Sequence, residues 1–249
     1  MDRFTGKVAL VTGASSGIGR AICEDLVRKG MKVVALARRI DKIQMYAEEM
    51  KSFSGKMYPL QCDLTNKDEM MQAMQWMEKN MGTIDVLINN AGIDTHTTFM
   101  TGTMDDWEKT FDVNILGLVA MTKEFLMMKK KQGSLECGYI FNINDFRCFT
   151  RHMTMDRRMS APYMASKWAL RGINDILRME LNEMESKIKV TNIAPGMVNT
   201  DMTMEAMKKG SRMALEPRDV SEAILLAMCT RDSVLIRDMI IVPIHYFTI

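Results

Sequence analysis

Short apolar, β-branched runs alternate along this chain with longer stretches in which apolar residues return every third or fourth position. KVALVT (7–12) precedes a glycine-rich turn and an amphipathic segment reaching Lys29. KVVALA (32–37) precedes helical spacing over 40–52, and MYPLQ (57–61) precedes helical spacing over 66–81. IDVLIN (84–89) leads to a long helical region, about 107–131, open to a break in its middle. YIFNI (139–143) comes before a helix at about 161–185, and IKVTNIA (188–194) before one at 217–229. VLIRDMIIV (234–242) contains the last strand. Most strands lack period-two alternation. They are apolar throughout, as strands covered on both faces are. This order predicts an α/β fold, a doubly wound parallel sheet flanked by helices and forming one domain over 1–249. Ligands of such sheets bind beyond the carboxyl ends of the strands.

Bulk properties narrow the classes of function. A chain of 249 residues with 47% hydrophobic content can bury one sizeable core. The 33 basic and 31 acidic residues give a net charge of +2, no basis for a nucleic-acid or anionic-membrane partner. No run approaches the roughly 20 apolar residues of a membrane span, and MDRFTGK has no apolar core of a signal peptide. Five scattered cysteines without CxxC read as reduced thiols in a cytoplasmic protein, and no metal site is expected. Methionine is abundant, at 28 residues. Met70, Met74, Met77 and Met81 share a helix face and are expected in the core.

The chemistry gathers at strand ends. TGASSGIG (12–19) places Gly13, Gly17 and Gly19 between a strand and a helix, with Ser15, Ser16 and Ile18 among them. Such a turn brings backbone N–H groups and the positive helix end to a pyrophosphate. The second strand ends in Arg38 and Arg39 rather than an acid. Two guanidiniums suit the 2′-phosphate of NADP(H) and make NAD(H) the less favoured cofactor, unless they only start a solvated helix. Asp63, before Leu64, is open to two roles, accepting from an adenine amino group or serving as a helix N-cap or turn residue. NNAG (89–92) offers Asn90, Ala91 and Gly92 for close passage, its asparagines bridging neighbouring loops. Tyr163 and Lys167, in YMASK, stand four apart on one helix face, where an ammonium draws the phenol pKa down for proton exchange with a carbonyl oxygen.

TGASSGIG, NNAG, YMASK and PGMVNT (195–200), in this order, resemble the short-chain dehydrogenase/reductase family over nearly the whole chain. The N-terminal third is most similar to insect and animal farnesol-type or alcohol dehydrogenases. The resemblance implies a Rossmann-type domain and NADP(H)-dependent hydride transfer with an apolar alcohol, ketone or aldehyde. It implies Tyr163 as acid/base, Lys167 on the nicotinamide ribose and Asn114, in FDVNILG, holding a relay water. Pro195, Gly196, Val198 and Thr200 would meet the nicotinamide end. A substrate lid near 197–215 would carry Met197, Met202, Met204, Met207 and Met213, either as a soft apolar cover or as ordinary packing. Family members usually form homodimers or homotetramers through the two long helices.

One position departs from that pattern. Where the family carries a serine that donates to the substrate oxygen, NIND presents Asp145. The 18 residues from Asp145 to Tyr163 exceed the usual gap, and FRCFTRHMTMDRRMSAP reads as an inserted, polar, partly basic loop. An ionised carboxylate cannot donate. Three readings stay open. Asp145 is a buried neutral acid that donates. Or it pairs with Arg147, Arg151 or His152 while Asn144, Thr150 or a water meets the substrate. Or carbonyl reduction has given way to epimerisation or isomerisation with recycled cofactor, or to dinucleotide binding without catalysis.

Overall fold

The computed structural model describes residues 2–133, 135–149, 160–204 and 214–244. Among the described residues the apolar runs become seven strands. They are β1 (Val8–Thr12), β2 (Lys32–Ala37), β3 (Lys56–Gln61), β4 (Val86–Asn89), β5 (Gly138–Ile143), β6 (Ile188–Pro195) and β7 (Asp238–Ile241). All pair in parallel, in the order β3-β2-β1-β4-β5-β6-β7. The chain steps outward from β1 to β3, returns to set β4 beside β1, and steps outward again to β7. The direction reverses between β1 and β4, so a ligand crevice opens beyond their carboxyl ends.

Helices α1 (Gly17–Arg28), α2 (Ile40–Glu49), α3 (Lys67–Met81), α4 (Met104–Phe111), α5 (Leu118–Lys131), α6 (Ala161–Glu183) and α7 (Pro217–Met228) flank the sheet. Ala9 and Val11 of β1 enter a core with Ile22, Leu26 and Ile224. Val8 and Leu10 enter another with Met77, Phe125 and Leu177. With β1, β4 and β6 buried at every residue, both faces select apolar side chains and alternation disappears. Met70, Met74 and Met77 are buried and Met81 packs against the same core, as the stripe predicts. Burial of each such side chain contributes about 2 kcal/mol. No helix among the described residues is long and apolar enough to cross a membrane.

The long helical region is broken. α4 ends at Phe111, a π-helical turn runs over Asp112–Gly117, and α5 follows. α4 starts three residues before the predicted position. A capping box sets this start: Thr103 Oγ1 accepts from the Asp106 N–H, and Asp106 Oδ2 accepts from the Thr103 N–H. Exposed Met104 gave no periodic signal there.

FRCF (146–149) corrects a second expectation. It is a 3-10 turn with Phe146 and Cys148 buried, not the start of a polar loop. Arg171 Nη1 of α6 donates to the Cys148 carbonyl and fastens the turn to the helix. Thr150, Arg151 and His152 lie outside the described residues, as do Met207 and Met213.

A row of amides crosses the middle of the sheet. Asn89, Asn142 and Asn192 are cross-strand neighbours on β4, β5 and β6. Asn89 Nδ2 donates to Thr122 Oγ1 (3.0 Å) and to Asn142 Oδ1 (2.8 Å). Asn142 Nδ2 donates to Asn174 Oδ1 (2.6 Å), and Asn174 Nδ2 donates to Asn192 Oδ1 (3.0 Å). The four asparagines are at least 97% buried, so each bond replaces one that water would otherwise supply.

Candidate active site

The glycine-rich turn leads from β1 into α1. Gly13 has φ +66°, and a Cβ there would lie 2.8 Å from Ala91 Cα. At Gly19 a Cβ would lie 2.4 Å from the Gly13 carbonyl oxygen. No side chain fits without moving backbone, so the sequence holds glycine at both. Ser16, the residue before α1, is extended and makes no side-chain cap bond. The first N–H groups of α1, including that of Ile18, are therefore left by Ser16 for another acceptor. Thr200 packs its Cγ2 against Gly17 and brings the segment after β6 onto this turn.

The two arginines after β2 behave differently. Arg39 donates from Nε and Nη2 to Ser15 Oγ (3.1 and 2.9 Å) and from Nη2 to Ser16 Oγ (2.8 Å). Arg38 is exposed and stands 3.8 Å from Asp63 Oδ2. Of the two roles open to Asp63, the structure shows the turn: Oδ1 accepts from the Thr65 N–H (3.0 Å) and Thr65 Oγ1 (2.9 Å). Leu64 is buried beside Gly117 of the π-helical turn.

In NNAG, Asn90 ties neighbouring loops together as expected, whereas Asn89 bonds into the amide row of the sheet. Thr12 Oγ1 accepts from the N–H groups of Asn90 and Ala91, both at 3.0 Å. Asn90 Nδ2 donates to the carbonyls of Thr12 (2.9 Å) and Gly13 (3.2 Å). A Cβ on Gly92 would stand 3.4 Å from Asn114 Oδ1 and 3.9 Å from Lys167 Nζ. Residues 92, 114 and 167 thus meet at one point.

Asn114 sits on the π-helical turn, buried. Its Oδ1 accepts from the Ile93 N–H (2.8 Å), and its Nδ2 donates to the Ile93 carbonyl and Ser166 Oγ, both at 3.0 Å. Single π turns inside helices often mark functional sites. Ser166, which the sequence reading passed over inside YMASK, donates to the Tyr163 carbonyl at 2.6 Å and so links Asn114 to the tyrosine's turn of α6. Lys167 Nζ stands 5.5 Å from the centre of the Tyr163 ring.

Asp145 closes this group from the end of β5. Its Oδ1 accepts from the Arg147 N–H and Nε, each at 2.9 Å. Its Oδ2 accepts from Arg147 Nη2 at 2.7 Å and from the Tyr163 hydroxyl at 3.5 Å. Every one of these partners donates, so the carboxylate acts as an acceptor. Of the readings open to Asp145, pairing with Arg147 is the one the structure shows. Asn144, the proposed substitute, buries both amide atoms without a hydrogen-bond partner.

The electrostatics reverse one expectation. The Tyr163 hydroxyl is pushed well above its ordinary pKa, first by burial, then by the Asp145 charge, with Asp94 and Cys148 adding and Arg147 opposing. The nearby Lys167 ammonium does not offset this. Burial pushes Lys167 itself down to about 8, with Asp145 and Cys148 pulling the other way. Asp94 is a residue that sequence reasoning missed. Its Oδ1 accepts from the His96 N–H (2.8 Å) and its Oδ2 lies 3.3 Å from His96 Nδ1, with His96 in the left-handed region at φ +56°. An acid two residues past NNAG was the available signal.

Beyond β6, Gly196 donates its N–H to the Ile241 carbonyl (2.7 Å), and buried Val198 bridges to Leu215. Both ends of the expected lid are thereby anchored. Met202 and Met204 between them are exposed.

A glycine turn at the reversal of a parallel sheet, with a Tyr-Lys-Asn group beside it, is an arrangement that suits a dinucleotide. The sequence model described as short chain dehydrogenase matches residues 7–210. The chain is 38% identical over 247 residues to farnesol dehydrogenase of Aedes aegypti, covering 98% of each. It is 32% identical over 259 residues to dehydrogenase/reductase SDR family member 11 of Homo sapiens, covering 100% of this chain and 98% of that one. A metagenomic short-chain oxidoreductase solved in complex with NADP superposes with a TM-score of 0.80 at 28% identity, covering 96% and 98%. With two-thirds of its length and more accounted for in this way, the chain belongs to the short-chain dehydrogenase family.

Proposed function

We propose that the protein is an NADP(H)-dependent oxidoreductase acting on an apolar alcohol or carbonyl compound, with Tyr163 as its acid/base. The observation that carries this reading is the meeting of Asn114 and Lys167 at Gly92, beside the sheet reversal, with the Tyr163 ring centre 5.5 Å from Lys167 Nζ. The cradle fits the cofactor: side-chain-free positions at Gly13 and Gly19, uncapped N–H groups at α1, and a guanidinium resting on Ser15 and Ser16. Gly17 and Ile18 would complete the pyrophosphate contact. Arg39, helped by Arg38, would hold the 2′-phosphate, with Asp63 and Leu64 on the adenine side. Asn90, Ala91 and Gly92 would line the middle, and Pro195, Gly196, Val198 and Thr200 the nicotinamide end.

When bound, the nicotinamide supplies or takes up a hydride at the substrate carbon. Tyr163 gives a proton to the carbonyl oxygen in reduction and takes one back in oxidation. Lys167, fixed by α6, offers its ammonium beside the phenol, and Asn114 anchors the turn that faces it. Asp145 holds the Tyr163 hydroxyl rather than the substrate. The relative named farnesol dehydrogenase supports an apolar alcohol. The neighbour solved with NADP supports the cofactor. Exposed Leu116, Val119 and Met127 near α5, with Trp168, Ile176 and Met179 on α6, suit a homodimer or homotetramer built on those helices.

The test is NADPH consumption on a panel of apolar ketones and aldehydes by the natural protein and Tyr163→Phe. Turnover should fall by at least about 10²-fold while NADPH binding persists. Undiminished turnover in the variant would remove Tyr163 from the mechanism. Conversion of substrate without net loss of NADPH would point to isomerisation. A silent panel with tight NADPH binding would point to a binding protein.

A further inference from the structure

The residue in the serine position does not do a serine's work. Oδ1 of Asp145 is occupied by two donors of Arg147, and Oδ2 is shared between Arg147 Nη2 and the Tyr163 hydroxyl. The pair is short in sequence and bent by the 3-10 turn Phe146–Phe149, so the backbone N–H and the guanidinium fork reach the same carboxylate. A bidentate fork of this kind fixes direction as well as charge. Asp145 is 7% exposed, which limits screening of its charge by water.

Among the described residues, charged and titratable groups reach Tyr163 from several elements. Asp145 comes from the end of β5, Arg147 and Cys148 from the 3-10 turn, and Asp94 from the loop after β4, itself paired with His96. Lys167 comes from the next turn of α6. The carboxylates favour the phenol, and the cations favour the phenolate. Among these groups Asp145 stands within reach of the hydroxyl, its Oδ2 3.5 Å from the Tyr163 oxygen, a long contact.

We propose that the Asp145–Arg147 pair is a positioning device that keeps Tyr163 a phenol and so sets the pH range over which the site exchanges its proton. This rests on the acid/base reading of Tyr163. In reduction the carbonyl carbon gains a hydride from the reduced nicotinamide, which is left oxidised. The carbonyl π pair moves to oxygen, that oxygen takes the Tyr163 proton, and water returns a proton to the phenolate. Oxidation must begin with phenolate, the form that Asp145 disfavours. Arg147 bounds the effect by neutralising the carboxylate and fixing its aim.

The experiment is an ultraviolet difference titration of phenolate in the full chain, with the share of Tyr163 isolated by subtracting Tyr163→Phe. Asp145→Ser should move the Tyr163 midpoint to lower pH by about one to three pH units. Arg147→Gln should move it to higher pH, and Arg147→Lys should bring it most of the way back. Loosened packing would not move the two sites in opposite directions. An unmoved or raised midpoint in Asp145→Ser overturns the proposal, whether or not any substrate turns over. In the panel assay, Asp145→Ser should move the pH dependence of turnover to lower pH in step with the Tyr163 midpoint. A panel silent in both natural protein and Asp145→Ser would sink the oxidoreductase reading, while the titration still decides what the pair does to Tyr163.

Discussion

Lys167 Nζ donates to the Ile143 carbonyl at 2.8 Å, pinning helix α6 to the end of strand β5 two residues before Asp145. The bond fixes the distance between the helix that carries Tyr163 and the strand that carries the carboxylate. It also buries an ammonium with one neutral acceptor among the hydrogen bonds described.

That burial has a consequence for stability. Folded Lys167 loses its proton at about 8, while the unfolded chain keeps it to 10.5. Below about 8 both states are charged and the folded state bears the full desolvation penalty. Between about 8 and 10.5 the unfolded state binds more protons, so stability rises with pH. The penalty is of order 3 kcal/mol. Lys167→Met should therefore be more stable than the natural protein at neutral pH by roughly 2 kcal/mol, after the lost hydrogen bond is counted. The difference should shrink toward pH 10. Urea midpoints of both proteins across this range test it, and a pH-independent difference would refute the assigned cause.

Arg39 should discriminate cofactors more strongly than Arg38. Its guanidinium already rests on two hydroxyls of the glycine turn, whereas Arg38 is exposed and paired only loosely with Asp63. Losing a charge-assisted contact of about 1.5–3 kcal/mol should weaken NADPH binding roughly 10- to 100-fold in Arg39→Ala, with NADH little affected. Fluorescence titration with both cofactors measures this. Equal loss for the two would mean that Arg39 only braces the turn.

Asn142→Ala should destabilise the fold without touching the cofactor crevice. It removes the acceptor of Asn89 Nδ2 and the donor to Asn174 Oδ1, both buried. An unsatisfied buried group costs about 1–3 kcal/mol, so a total of roughly 2 kcal/mol or more is expected from chemical denaturation. Natural stability in the variant would show that the amides bind one another only incidentally.

The strands were legible because burial on both faces writes itself as unbroken apolar runs, and the cofactor turn because no other residue fits at Gly13 or Gly19. The π-helical turn was less so. Apolar spacing around Asn114 barely changes when one turn widens, and the sequence suggested only a possible break. FRCF was misread because its flanking polar residues outweighed Phe146 and Cys148. Asp94 lay in a threonine-rich loop with no spaced partner to single it out. At Asp145 the composition raised the right question, yet donor and acceptor roles depend on where a guanidinium points. That direction comes from a four-residue turn, not from spacing. The ordering of Tyr163 and Lys167 was visible, but the sign of the pKa change was not, since it comes from burial and a carboxylate brought in from another strand.

The amide row across β4, β5 and β6 also answers a problem created by the apolar strands. A strand greasy on both faces is nearly indifferent to sliding by one residue, because any side chain it presents is acceptable to either layer. Asn89, Asn142 and Asn192 remove that indifference. A slip of one position would point an amide into hydrocarbon on the opposite face. The row therefore acts as an alignment mark, setting strand against strand in a sheet whose hydrophobic pattern alone would let them drift, and so fixing how far each strand end projects into the crevice.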